Sequence, residues 1–111
     1  MMIQASTWQL DALRKITPEH GVWYMASPYT KHADGFDGAF RDAADAAAAL
    51  KSAGVPVFSP IAHGHPISLS PNLGNQDDHD FWMAYDYRMV RMCCGVIVVQ
   101  IPGWAESKGI S

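Results

Sequence analysis

The stretch that decides the fold is VWYMASP at residues 22–28, in which five apolar residues run into Ser27-Pro28. Two similar runs follow it, VPVFSP at residues 55–60 and GVIVVQ at residues 95–100. Each run is short, rich in β-branched or aromatic residues and bounded by Gly, Ser or Pro. This pattern predicts three buried strands.

The sequence between the first two strands has the period of a helix. From Asp34 onward, apolar residues recur at steps of three and four, and Gly54 is placed to end the helix. A strand, a helix and a second strand in this order predict two parallel strands joined by a right-handed crossover. The members of the apolar helix face are Phe36, Phe40, Ala43, Ala47 and Leu50.

A second helix is predicted over residues 80–92, capped by Asp77, Asp78 or Asp80, and it leads into the third strand. Residues 61–75 are rich in His, Pro, Ser, Asn and Gly, and we expect them to form a long loop. The order of elements is that of half a doubly wound α/β sheet. If the third strand lies beside the first, the strand order is 2-1-3.

Length and composition limit the class of protein. The chain has 111 residues, with 49% apolar and 17% charged residues, which predicts one folded domain over residues 21–111 after a lead-in helix in residues 1–20. The net charge of −3 and the lack of a basic stripe argue against polymeric nucleic acid as a partner. No apolar run approaches the ~20 residues of a membrane span, and no secretory signal is visible, so we expect no membrane partner and a cytoplasmic location. The adjacent Cys93 and Cys94 are expected to be reduced.

Three segments should meet where the strands end, because parallel strands carry their carboxyl ends to one edge of the sheet. They begin at Ser27-Pro28-Tyr29, at Ser59 and at Ile101. Together they supply hydroxyls, imidazoles, a lysine and aromatic rings, which suit a nucleoside or nucleotide as ligand. No glycine fingerprint for a dinucleotide or P-loop phosphate is present. We expect no cofactor.

Asp86 lies on the same predicted helix face as Trp82, Val90 and Cys93. A buried carboxylate is costly unless it is paired, hydrogen-bonded or used in function. Three alternatives stay open at this point. Asp86 pairs with a nearby arginine, lies at the wet edge of the face, or acts in a functional site.

His63 and His65 flank a glycine, and such a pair can bind zinc. Because no further ligand is near in sequence, we expect no metal and favour two loop histidines that hydrogen-bond to the backbone, with His63 available for a substrate contact. Trp104 either stacks on a ligand or covers the core.

Ser107 and Gly109 stand at a predicted helix start, where backbone N–H groups can hold an anion or form an ordinary cap. Glu106 either interacts favourably with the helix dipole or acts as a catalytic acid or base.

Three motifs, YMASPY at residues 24–29, FSPIAH at residues 58–63 and GWAESKG at residues 103–109, resemble the nucleoside 2-deoxyribosyltransferase-like superfamily. Within it, they resemble the small bacterial and phage members of unknown function, over residues 21–111. The resemblance implies a flavodoxin-like or Rossmann-like three-layer α/β sandwich. It also implies chemistry at the N-glycosidic bond, in which a glutamate attacks the anomeric carbon and water or a second base completes the reaction.

The resemblance also implies roles for particular residues. Asp86 matches a helix aspartate that binds the sugar and assists departure of the base, and Ser27 and Tyr29 fall where relatives hold the sugar or a 5′-phosphate. Ser107 and Gly109 fall on the phosphate side. The nucleophilic glutamate is expected just beyond Ser111, and Glu106 is out of register for that role. Either the sequence is cut before the nucleophile or the protein lacks it, and we favour an incomplete or partly ordered chain.

Three functions follow as hypotheses. The first is an N-glycosidase or deoxyribosyltransferase-like enzyme. The second is a non-catalytic nucleotide-binding or sensing module, and the third is an assembly subunit. Large apolar residues on the helix that carries Asp86 exceed what one sheet face needs, which predicts a homo-oligomer. These residues are Trp82, Tyr85, Met89 and Met92.

Overall fold

The computed structural model describes residues 7–27, 35–75 and 78–99. In chain order, its elements are α1 (Thr7–Ile16), β1 (Trp23–Ala26), α2 (Gly35–Ser52), β2 (Val57–Phe58), α3 (Pro60–Ser68), a 3-10 turn (Pro71–Leu73), α4 (His79–Met92) and β3 (Gly95–Val98).

The sheet is parallel, and its strands lie in the order β2-β1-β3. The central strand β1 pairs Trp23 with Val57 on one side and with Gly95 on the other. The hydrogen bonds continue past the ends of the strands, since the Val99 N–H donates to the Ala26 carbonyl at 2.9 Å. The predicted α/β class and strand order are therefore confirmed, and the architecture is consistent with a flavodoxin-like or Rossmann-like fold.

The core forms where the alanine-rich face of α2 packs on the sheet. Ala43 and Ala46 are fully buried, as is Met25 of β1, and the small alanine side chains let the helix approach closely. The chain leaves α2 through Gly54, whose φ of +83° explains the glycine at the predicted helix end. Phe36 departs from the expectation. It is exposed rather than part of the core.

The predicted loop over residues 61–75 is wrong, because most of it is the helix α3. The Ser59 hydroxyl accepts a hydrogen bond from the Ala62 N–H at 3.1 Å, which makes Ser59 the N-cap. Pro60 then occupies the first helical turn, where a missing N–H costs nothing. The dipeptide that ends β2 therefore also begins α3, and Pro66 lies inside the helix.

Helix α4 begins as predicted. The Asp78 side chain caps it by accepting a hydrogen bond from the Phe81 N–H at 2.7 Å. None of the fourteen residues of α4 is buried, although the helix carries several large apolar side chains. Within the described ranges, every helix is too short or too polar to cross a bilayer.

We predict that Gly95→Ala destabilises the fold by about 1–3 kcal/mol, the usual cost of overpacking. A Cβ at this position would lie 2.4 Å from Cζ3 of the Trp23 ring, its neighbour across the strand pair. Urea denaturation of the purified variant measures the change in the free energy of unfolding.

A double-mutant cycle with Trp23→Leu supplies the control, because removal of the ring should make the Gly95→Ala substitution less costly. An equal cost in both backgrounds would show that the ring contact is not the cause.

Candidate functional site

A cleft of about 430 Å³ opens beside the carboxyl end of β1, with walls from α3 and α4. Tyr24 of β1 and Ser27, the residue after β1, line it, and Asp86 lines it from the middle of α4. The cleft therefore lies at the edge of the sheet where ligands bind in doubly wound folds. Its position agrees with the edge predicted from the strand order.

Asp86 is half-buried in this cleft. Burial raises the pKa of its carboxyl group, while the charges of His63 and His79 lower that pKa and offset part of the effect. The described structure gives Asp86 no ion pair with arginine, since the Arg88 guanidinium lies over the Tyr85 ring, 5.8 Å from its centroid. The first of the three alternatives for Asp86, an ion pair with a nearby arginine, is therefore not formed among the described residues.

Tyr24 lines the same cleft as Asp86. It was not predicted as a site residue, because a tyrosine inside an apolar strand has the pattern of a core residue. Burial raises the pKa of its phenol, and the nearby charges of Asp86 and Cys93 raise it further. The phenol therefore keeps its proton at physiological pH and can donate a hydrogen bond into the cleft.

Ser27 brings a buried polar group to the cleft. The residue is 5% exposed, and its hydroxyl oxygen is buried with no hydrogen-bond partner among the described residues. A buried hydroxyl without a partner is costly, and such groups call for an explanation. A ligand hydroxyl in the cleft would satisfy it.

The two histidines of the His-Gly-His segment have different environments. His63 is exposed, and its ring packs against Phe58 with a centroid separation of 5.5 Å. His65 is buried, lines the cleft and hydrogen-bonds through Nε2 to Oδ1 of Asp37 at 2.9 Å. The expected loop setting of both residues is wrong, because both lie on α3, and the described partner of the His65 ring is a carboxylate on α2 rather than the backbone. In the described ranges, no three His, Cys, Asp or Glu side chains converge on a metal position.

Gly64 and Trp82 form the contact between α3 and α4 at the wall of the cleft. A Cβ on Gly64 would lie 3.2 Å from the Trp82 ring, so only glycine lets the indole pack this closely against α3. The exposed Phe36 and Tyr87 add aromatic surface to the cleft. Aromatic faces of this kind suit a flat, ring-shaped ligand group.

Several predicted contacts fall outside the described residues. These are Pro28, Tyr29, Trp104, Glu106, Ser107 and Gly109. Of the predicted site residues, the structure therefore brings Ser27 and Asp86 together in one cleft and places His63 close enough to act on the charge of Asp86. It adds Tyr24, His65 and His79. The seven-residue spacing of His79 and Asp86 on one helix was the available signal for His79.

A family model described as "Domain of unknown function (DUF1937)" matches residues 21–111. The chain belongs to this family. No curated protein matches the chain, and no solved structure matches it. The matched range contains every residue that lines the cleft, so the described cleft is a feature of the DUF1937 domain itself.

We predict that the wild-type protein loses stability as the pH rises from the ordinary carboxyl pKa of 3.8 through the raised folded-state pKa of Asp86. The unfolded chain ionises first in this window and is stabilised relative to the folded chain, in which the proton is still bound. The Asp86→Asn variant should lack this loss, so its advantage in free energy of unfolding grows with pH. Urea denaturation at several pH values measures it.

Asp80→Asn is the matched control, because Asp80 is an exposed carboxylate on the same helix. A difference between Asp86→Asn and the wild type that stays constant with pH would contradict the raised pKa.

Proposed function

We propose that this protein acts on the N-glycosidic bond of nucleosides or nucleotides. The observation that carries the proposal is that Asp86 and the buried Ser27 hydroxyl, which has no hydrogen-bond partner among the described residues, line one cleft with aromatic walls. A sugar offers hydroxyls to the first two groups, and a nucleobase offers a flat face to the walls. The resemblance of the sequence to the nucleoside 2-deoxyribosyltransferase-like superfamily supports the same chemistry.

The size of the cleft agrees with such a ligand. Its volume of about 430 Å³ falls within the ~300–1,000 Å³ that is typical of small-molecule sites. Ser27 follows the last residue of β1, Asp86 lines the cleft from α4, and Trp82 of the same helix supplies an aromatic wall. We therefore propose that the sugar lies near Ser27 and Asp86 and that the base lies along Trp82.

Asp86 has the chemistry that departure of a base requires. Burial favours its neutral form, and a neutral carboxylic acid can protonate the nitrogen of the departing base. Protonation makes the base a better leaving group, because the base then departs as a neutral molecule rather than as an anion.

We predict that the purified protein releases free base from a panel of ribonucleosides, deoxyribonucleosides and their 5′-monophosphates. The Asp86→Asn variant should release base at least ~100-fold more slowly, the usual contribution of a general acid. Chromatography of the products measures the release, and Asp80→Asn is the control.

Folded protein that releases no base from any member of the panel would overturn the enzymatic proposal. If nucleosides still raise the melting temperature of that protein, the nucleotide-binding or sensing function takes its place.

We also propose that the protein forms a homo-oligomer through the outer surface of α4. Tyr85 is 52% exposed and Met92 is 79% exposed, while the helix buries none of its residues in the described structure. Large exposed apolar side chains on one helix are typical of a protein interface.

We predict a dimer or larger oligomer by light scattering, and a monomer when Tyr85 and Met92 are both replaced by Glu. Ala48→Glu, on the exposed side of α2, should leave the oligomer intact. A strictly monomeric wild type at high concentration would contradict the proposal.

A further inference from the structure

We propose that the cleft takes a nucleoside whose base carries an apolar substituent, an alkyl or aryl group that packs on Leu69 and Met83. This inference rests on the proposed N-glycosidic chemistry and deepens it, because it names the class of substrate. It assigns a use to the part of the cleft lining that the sugar and the base ring do not occupy.

Several large apolar side chains of the cleft lining are exposed to solvent. Leu69 is 69% exposed, Met83 is 39% exposed and Tyr87 is 62% exposed, and apolar atoms make up most of the surface that surrounds the cleft. Single exposed apolar residues are ordinary, whereas several around one concave site are typical of a groove that binds a ligand. A ligand that covers these side chains has apolar surface of its own.

The cleft extends well beyond the edge of the sheet. Pro60 at the start of α3 and Leu69, the C-cap residue of the same helix, both line it. The two residues are nine positions apart, which corresponds to about 13 Å along a helix. A substituent on the base gives a ligand whose sugar lies near Ser27 the length to reach Leu69.

The cleft-facing residues of α4 follow the helical period. Met83, Asp86, Tyr87 and Val90 are separated by three, one and three positions, so they share one face of the helix, and all four line the cleft. Met83 is therefore a neighbour of Asp86 on the helix surface. Tyr85, which belongs to the proposed oligomer surface, is not among the described residues that line the cleft.

Two polar side chains of the lining, Ser68 and Asp78, are engaged within the fold. The Ser68 hydroxyl donates its only proton to the His65 carbonyl, at 2.6 Å, and the Asp78 carboxylate caps α4 by accepting the Phe81 N–H. The Ser68 hydroxyl therefore has no second proton to donate to a ligand. These contacts favour an apolar rather than a polar group on the neighbouring Leu69.

Matched pairs of nucleosides test the proposal on the purified full chain. The pairs are adenosine with N6-benzyladenosine and cytidine with N4-benzylcytidine, and isothermal titration calorimetry measures each Kd. Burial of one methylene strengthens binding by about fourfold, so the benzyl member of at least one pair should bind at least ~10-fold more tightly than its parent. Equal or weaker binding of the benzyl member in both pairs would overturn the proposal.

Two variants test the residues themselves. Leu69→Gln and Met83→Gln exchange an apolar side chain for a polar one of similar length, and each should reduce the preference for the benzyl member at least ~3-fold. Ile67→Gln is the matched control, because Ile67 is also 39% exposed but is not among the described residues that line the cleft. An unchanged preference in both folded variants, or the same reduction in the control, would contradict the assignment.

A second copy of the chain is the competing occupant of this surface. If a second copy covers Leu69 and Met83, the benzyl group adds no affinity, and the two glutamine variants instead shift light scattering toward the monomer. That result would overturn the proposal. Preferred binding of the benzyl member without release of free base would overturn the proposed catalysis while it supports the apolar site, so the two failures are distinguishable.

Discussion

The central strand β1 is hydrogen-bonded along both edges, to β2 and to β3, and the rest of the described structure depends on this constraint. Because both edges are paired and Tyr24, Met25 and Ala26 are buried, the strand cannot shift its register without losing its bonds and its packing. A strand fixed in this way holds Ser27, the residue that follows it, at one defined position. The cleft lies there, beside the carboxyl end of the strand.

The cleft combines features that reduce stability elsewhere in a protein. Ser27 is buried without a hydrogen-bond partner in the described residues, and Asp86 is half-buried with a raised pKa. Both features lower the free energy of unfolding. The packing of the alanine-rich face of α2 against the sheet offsets that loss. Such costs are retained at sites that bind ligands, because a ligand supplies the missing hydrogen bonds. The proposed function uses this arrangement.

Part of the fold and of the site was predictable from local pattern. The strand predicted at residues 22–26, the alanine face of α2 and the Asp78 cap all follow from residues close in sequence. Ser27 and Asp86, which line the cleft, were also named from the sequence. The same reasoning failed at Ser59-Pro60, where the end of a strand is also the beginning of a helix. Proline and histidine content suggested a loop over residues 61–75, whereas the cap at Ser59 and the contact of Gly64 with Trp82 stabilise α3.

Residue patterns therefore specified the parallel α/β class, the strand order and the edge of the sheet where a site should lie, because periodicity and caps act over a few neighbouring residues. The pairing of His65 with Asp37, 28 residues apart, has no such local signature. The same holds for the glycine that admits the Trp82 ring and for the hydroxyl of Tyr24 at the cleft. Only the packing of α2, α3 and α4 around β1 brings these groups together, since contacts between elements depend on three-dimensional shape rather than on spacing along the chain.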